Sequence, residues 1–102
     1  MANRWVDFHP LAQRELQAAY RWYFKRSPGS AERFRLALGH VVELISAAAE
    51  LGSPFRAHYR WMRARRFPFL IYCEIRSSQS VMVYAVAHAR RRQGYWLRRP
   101  KS

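Results

Sequence analysis

The residues best suited to chemistry lie in the last third of the 102-residue sequence. His88 is followed by an arginine run that begins at Arg90, and Tyr95 comes shortly after it. A histidine titrates near neutral pH, so it can act as a general acid or base. Tyrosine can donate a proton or stack on an aromatic ligand, and arginine forks onto phosphate or carboxylate oxygens. These types and their spacing suit acid–base chemistry on an anionic partner, or binding of one.

The basic residues are concentrated in the second half of the chain. Residues 52–102 carry twelve basic and one acidic side chain, residues 1–51 carry seven and five, and the net charge is +13. A surface of one sign destabilises the compact state unless a polyanion or an acidic partner meets it. We therefore predict a surface that binds a nucleic acid or another acidic target, formed by Arg60, Arg63, Arg65, Arg90, Arg91, Arg92 and Trp96.

Composition argues against several classes of protein. Half of the residues are apolar, which allows a folded core and is unlike the composition of disordered chains. No apolar run approaches the ~18 residues of a membrane span, and the N-terminus lacks the apolar segment of a secretory signal, so we expect a cytoplasmic protein without membrane contact.

Cys73 is the sole cysteine, which predicts a small buried strand residue. His9, His40 and His58 lack metal-ligand spacing, so we predict neither a metal nor another cofactor.

Helical periodicity predicts two helices in the first half. Pro10 suits the first helical position, which tolerates the missing N–H, and the sequence Ser-Pro-Gly-Ser at residues 27–30 breaks this helix. Ser27 or Ser30 caps a second helix, which Gly52 ends. Its apolar residues step by four and three, as expected for one buried face: Phe34, Leu38, Val41, Ile45 and Ala48.

The remaining segments alternate with the period of two that is typical of strands. We predict strands over residues 4–8, 56–64, 67–75 and 80–88, the last two apolar on both faces and therefore central in the sheet. The order β-α-α-β-β-β predicts an α+β fold, a two-layer sandwich of a helix hairpin on a mostly antiparallel sheet. We expect one domain over residues 1–102, with a basic aromatic tail from about residue 89. The second helix should pack on Phe69, Ile71, Val83 and Ala85.

Three segments resemble one known family. HPLAQRELQAAYRWY at residues 9–23, RFPFLIY at 66–72 and VYAVAHARRRQGYWLRR at 83–99 are similar to the RelE/ParE superfamily of bacterial type II toxin–antitoxin toxins, closer to the ParE-like branch. The resemblance implies a cognate antitoxin that neutralises the protein by binding it, and the charge favours an acidic one. It also implies one of two targets, because RelE-like members cut mRNA in the ribosomal A site and ParE-like members poison DNA gyrase.

The two targets imply different roles for the candidate residues. An endoribonuclease without a metal needs a base, an acid and cations, for which His88, Arg66 and Tyr95 are the catalytic candidates. RelE-like nucleases place an arginine in the central strand, and the matching position here is Phe69, directly after Pro68. This difference favours an inhibitor of a target such as gyrase over a nuclease.

Other interpretations remain open from the sequence. The chain could be a basic domain that binds RNA or a protein partner without being toxic. His88 could be held by hydrogen bonds for a structural purpose, and Tyr95 and Trp96 could pin the tail onto the sheet. The run at Arg90 could be solvated rather than bound.

Overall fold

The computed structural model describes residues 3–100 and has two helices and five strands in that range. The N-terminal strand leads into a hairpin of two long helices, and the other strands follow after a short 3₁₀ turn. The elements are β1 (Trp5–Phe8), α1 (Pro10–Arg26), α2 (Pro28–Ala48), the 3₁₀ turn (Ala49–Leu51), β2 (Ser53–Phe55), β3 (Tyr59–Arg63), β4 (Phe69–Ile75) and β5 (Ser80–His88).

The five strands form a single sheet in the order β1-β5-β4-β3-β2. Only β1 and β5 run parallel, and the other neighbouring strands are antiparallel. The helix hairpin covers one face of this sheet, so the predicted α+β fold is confirmed, as is the central place of β4 and β5. The strand predicted over residues 56–64 is wrong in its first half, because residues 53–55 form a separate edge strand and residues 56–58 form the loop after it.

Side chains at the helix starts explain where the two helices begin. His9 caps α1, since its Nδ1 accepts the backbone N–H of Leu11 at 3.1 Å, and Pro10 takes the first helical position as predicted. Ser27 alone separates the helices and caps α2, its Oγ accepting the N–H of Ser30 at 3.4 Å. A connection this short makes the helices antiparallel neighbours.

Two cores lie on opposite faces of the sheet. The helix-side core packs Phe34, Leu38, Val41 and Ile45 of α2 against β4 and β5, with Ile71, Cys73, Val81, Val83 and Val86 buried there. The outer-face core contains Tyr72, Tyr84, Ala85, Ala87 and Trp96. The predicted apolar face of α2 is therefore confirmed from Phe34 to Ile45, but Ala48 is only half-buried and Ala49 is the core residue there. Three of the four predicted partners on the sheet contact that core: Phe69, Ile71 and Val83.

A β-bulge in β5 explains why the fourth partner, Ala85, is wrong. Tyr72 pairs with Ala85, but Cys73 pairs with Val83, so Tyr84 is an extra residue opposite β4. Alternation shifts by one residue there, and Ala85 and Ala87 face outward while Val86 faces the helices. The same shift brings His88 to the helix side, where its ring lies 5.3 Å from the ring of Phe69.

We expect Cys73 to make the protein sensitive to alkali. Burial raises the pKa of its thiol to about 11, so unfolding releases a proton between the unfolded pKa of about 8.5 and that value. Stability is therefore fully present below this window and falls as the pH rises through it. Urea unfolding at pH values from 7 to 10 should show this decline, and the slope should flatten in Cys73→Ala. An equally steep slope in the variant would contradict the assignment.

Candidate functional site

Six of the seven arginines in the predicted site set lie at one end of the sheet. Arg63 pairs with Leu70 and Phe69 pairs with His88, so the end of β3, the start of β4 and the end of β5 adjoin. The N–H of Ala89 donates to the carbonyl of Pro68 at 2.7 Å and fixes the start of the tail there. We call this exposed group the arginine end: Arg63, Arg65, Arg66, Arg90, Arg91 and Arg92.

Arg60 is the exception, because its side chain is used inside the fold. Its Nη1 donates to the carbonyl oxygens of Glu50 at 3.0 Å and Gly52 at 2.9 Å. These bonds tie the 3₁₀ turn to β3. Arg60 therefore supports the entry to β2 and lies away from the arginine end.

A cleft of about 450 Å³ opens between α1 and the ends of β4 and β5. Its walls are mainly apolar, and Trp22 on α1 is half exposed at its side. A carboxylate, an imidazole and a guanidinium are also part of its lining: Glu15, His88 and Arg91. We call it the α1 cleft. Such a surface suits an apolar side chain of a partner, with charge at its rim.

His88 uses one ring nitrogen to hold the turn that follows β5. Its Nδ1 accepts the backbone N–H of Arg90 at 3.1 Å, which leaves Nε2 as the nitrogen that carries the proton of the neutral ring. To act as a base at Nε2, the ring would need to change tautomer and break this hydrogen bond. His88 thus fixes the backbone of the turn at Arg90.

Glu15 is a site residue that the sequence analysis missed. Its Oε1 accepts the N–H of Val86 and Nη1 of Arg99, both at 3.0 Å. Its Oε2 accepts the Tyr95 hydroxyl and Nη2 of Arg99, the latter at 2.6 Å. A pattern in the sequence could have found it, since Glu15 lies three residues after Ala12 and four before Ala19 on the buried face of α1.

The tail closes the half of β5 that β1 leaves open. Strand β1 pairs with β5 only from Ser80 to Val83. Beyond this point Arg99 donates to the Tyr84 carbonyl at 2.7 Å, and Glu15 accepts the backbone N–H of Val86. His9 Nε2 donates to the carbonyl of Pro100 at 2.7 Å and fastens the end of the described chain. The sheet edge is thereby blocked against pairing with another strand.

Tyr95 and Trp96 are both engaged in holding this tail. Burial, together with the hydrogen bond to Glu15, raises the pKa of Tyr95 well above its ordinary value, which makes its hydroxyl a poor acid. Trp96 is 1% exposed and lies 4.8 Å, between ring centroids, from both Tyr59 and Tyr72. The prediction that Trp96 contacts a target is corrected, because its ring fills the outer-face core.

Arg66 lies apart from the other two nuclease candidates. It occupies the turn between β3 and β4, which is closed by the N–H of Phe67 donating to the carbonyl of Ala64 at 3.1 Å. Arg66 faces a second pocket, beside α2, while His88 lines the α1 cleft and Tyr95 lines neither. The three candidates therefore do not share one cavity.

Comparison with known families agrees with this fold and with the quoted segments. A family model described as the ParE toxin of the type II toxin–antitoxin system, parDE, matches residues 6–93. The chain belongs to the ParE toxin family. No curated protein matches the chain. Family membership makes the protein a toxin of the type II toxin–antitoxin class, and the matched range includes the whole arginine end of this ParE-family toxin.

Two further observations concern metal ligands and membrane spans in the described part of the toxin. Across residues 3–100, no three side chains of the histidine, cysteine, aspartate or glutamate types come together in a way that could hold a metal ion. Neither helix in that range combines the length and apolar character needed to cross a membrane.

Proposed function

We propose that this toxin inhibits growth by binding an essential target, DNA gyrase, without cleaving RNA. The observation that carries the proposal is the state of Glu15, the carboxylate that lines the α1 cleft. Each of its two oxygens accepts two hydrogen bonds, and Arg99 grips both oxygens. A carboxylate saturated in this way has no free oxygen with which to take a proton from a ribose hydroxyl.

The neighbouring residues support the same proposal. In RelE-like nucleases the central strand carries an arginine that would stabilise transition-state charge, and the matching residue here is Phe69, whose ring packs against His88. His88 needs its Nδ1 for the backbone of Arg90, and Tyr95 is hydrogen-bonded to Glu15. Among the described residues that line the α1 cleft, none is therefore positioned for proton transfer.

A ribosome-dependent mRNA endoribonuclease is the second candidate. One observation favours it: Glu15, His88 and Arg91 line the same cleft, which brings together a carboxylate, an imidazole and a guanidinium. This combination could cleave a phosphodiester if Glu15 were released from Arg99. The two candidate functions therefore differ in whether binding to the target breaks the ion pair between Glu15 and Arg99.

Neutralisation by an acidic antitoxin completes the proposal. The exposed guanidinium groups of the arginine end would pair with carboxylates and set the rate and specificity of association. The α1 cleft, with Trp22 at its side, would receive an apolar side chain as the anchor. A chain with net charge +13 gains stability when such a partner reduces its self-repulsion.

A pair of assays tests the proposed target. We expect the purified toxin to inhibit gyrase supercoiling, to leave A-site mRNA intact on translating ribosomes, and to lose its effect when the antitoxin is added. His88→Ala should inhibit gyrase within about threefold of the wild type, whereas loss of a general acid or base lowers a cleavage rate by about 100-fold or more.

The exposed histidine of the β2–β3 loop, His58, provides the matched control as His58→Ala. Cut mRNA with active gyrase, and loss of the cutting in His88→Ala alone, would establish the nuclease instead. A protein that stops neither gyrase nor growth would leave the non-toxic binding domain as the function.

A further inference from the structure

A strongly basic pocket lies on the other side of Tyr23 from the α1 cleft. It has a volume of about 680 Å³ and opens between α2 and the turn that joins β3 to β4. Its lining includes three arginines, one histidine and apolar side chains: Arg33, Arg65, Arg66, His40, Leu36 and Phe67. Tyr23 lines both cavities, so they are neighbours. We call this cavity the basic pocket.

The arginines of the basic pocket have no counter-ion among the described residues. No carboxylate of residues 3–100 forms an ion pair with Arg33, Arg65 or Arg66. Arg33 donates only to a neutral oxygen, Ser30 Oγ, at 3.1 Å. The closest acid in sequence, Glu32, is taken by Arg35. Three guanidinium groups at one opening therefore present a site for an anion.

The backbone at Arg66 has an unusual conformation. Its φ is +70°, and the hydrogen bond between Phe67 and Ala64 places it at the third position of a tight turn. Glycine is the usual residue at such a position because a side chain is strained there. The chain instead carries an arginine that faces the pocket. Arg56 has a similar backbone conformation but lies outside the pocket, so the place of Arg66 in the pocket lining carries the argument.

We propose that the basic pocket binds a carboxylate-bearing segment of the antitoxin. Arg33, Arg65 and Arg66 would grip aspartate or glutamate side chains, and Leu36, which is 57% exposed, would cover an apolar neighbour of those acids. A phosphate backbone has no use for the apolar wall, so an acidic peptide fits the lining better than a nucleic acid. The inference rests on the proposed neutralisation by an antitoxin, and it places part of that contact in a defined pocket that joins Arg65 and Arg66 to Arg33 and Leu36.

The chain offers a matched pair of variants to test this contact. Arg66→Gly and Arg56→Gly each remove one positive charge from a residue with positive φ, +70° and +56° respectively, but Arg56 lies in the β2–β3 loop outside the pocket. Both changes relieve backbone strain, so neither should lower the thermal unfolding midpoint. Arg66→Gly should weaken binding of the full-length antitoxin about tenfold, as expected for loss of one charge-assisted pair. Arg56→Gly should leave the affinity unchanged.

A second pair of variants separates a peptide from a nucleic acid. Leu36→Ser should weaken antitoxin binding about fivefold and leave binding of a 30-base-pair DNA duplex unchanged, because only a peptide uses the apolar wall. Leu51→Ser, which changes a leucine that is 78% exposed on the 3₁₀ turn, is the control. Calorimetric titration measures both affinities.

Three outcomes would overturn the inference, and they are distinguishable from failure of the proposed function. If the antitoxin binds Arg66→Gly as tightly as it binds the wild type, the basic pocket is not an antitoxin contact, although neutralisation itself is unaffected. If Arg66→Gly loses duplex binding but keeps antitoxin binding, the pocket is a nucleic-acid site. Antitoxin that fails to bind the wild type removes neutralisation and the inference together.

Discussion

Replacing Glu15 by alanine is expected to lower the free energy of unfolding by about 3 kcal/mol. The Glu15 and Arg99 side chains are 16% and 12% exposed, so the change leaves a largely buried guanidinium without its partner. It also removes the acceptor for the Val86 N–H at the open edge of β5. Urea unfolding measures the loss, which is a large share of the about 5–15 kcal/mol that stabilises a typical domain.

Glu32→Ala is the matched control. Glu32 also forms an ion pair with an arginine, Arg35, but both of these side chains are more than half exposed. We expect this variant to unfold at nearly the same urea concentration as the wild type. Glu15→Ala with unchanged stability and a complete loss of mRNA cleavage would identify Glu15 as a catalytic base and reverse the proposed function.

Trp96→Ala should be the most destabilising single change at an aromatic residue, at about 4 kcal/mol. The ring is 1% exposed and contacts aromatic rings of β2, β3, β4 and β5, so truncation opens a cavity where the tail meets the sheet. Trp96→Phe should cost less, because most of the ring remains and the indole N–H has no hydrogen-bond partner in the described part of the chain.

Trp22→Ala provides the contrast, because Trp22 is 51% exposed beside the α1 cleft. Circular dichroism in urea should show little loss of stability for this variant, whose expected defect is in partner binding. Equal losses in Trp22→Ala and Trp96→Ala would contradict the assignment of Trp96 to the outer-face core.

The helix hairpin and the central strands were predictable because local patterns determine them. The four-three spacing of α2, the proline at the start of α1 and the unbroken apolar run of β5 each point to one structure. The predicted bounds of β5 agree with the structure at both ends. Family resemblance then agreed with an element order that had been derived from the residues.

The bulge and the β2–β3 loop could not be predicted, because their sequences lack the usual signals. No glycine marks the extra residue at Tyr84, and the bulge is defined only by its pairing with β4. The loop contains Arg56 at positive φ, where glycine or asparagine would have indicated a turn. Sequence periodicity therefore extended the second predicted strand, residues 56–64, into the loop at residues 56–58.

The site was only partly predictable because its key contacts join distant parts of the chain. The arginine end follows from neighbouring strands, so the sequence could place most of its members. The contacts of Glu15 with Tyr95 and Arg99 link α1 to the tail, and no local pattern reports such pairs. Burial of Trp96 likewise depends on the tail folding back across the outer face.

The pairing of β1 with β5 has a consequence for synthesis of the toxin. Trp5 and Ser80 lie side by side in the sheet, yet roughly 4 to 15 s of translation separate them at about 5–20 residues per second. Until β5 emerges, β1 has no partner strand and the α1 cleft lacks one of its walls. A nascent chain that has not yet released residues 80–88 therefore exposes an unpaired β1 edge, which is open to pairing with other chains, and it lacks a complete α1 cleft.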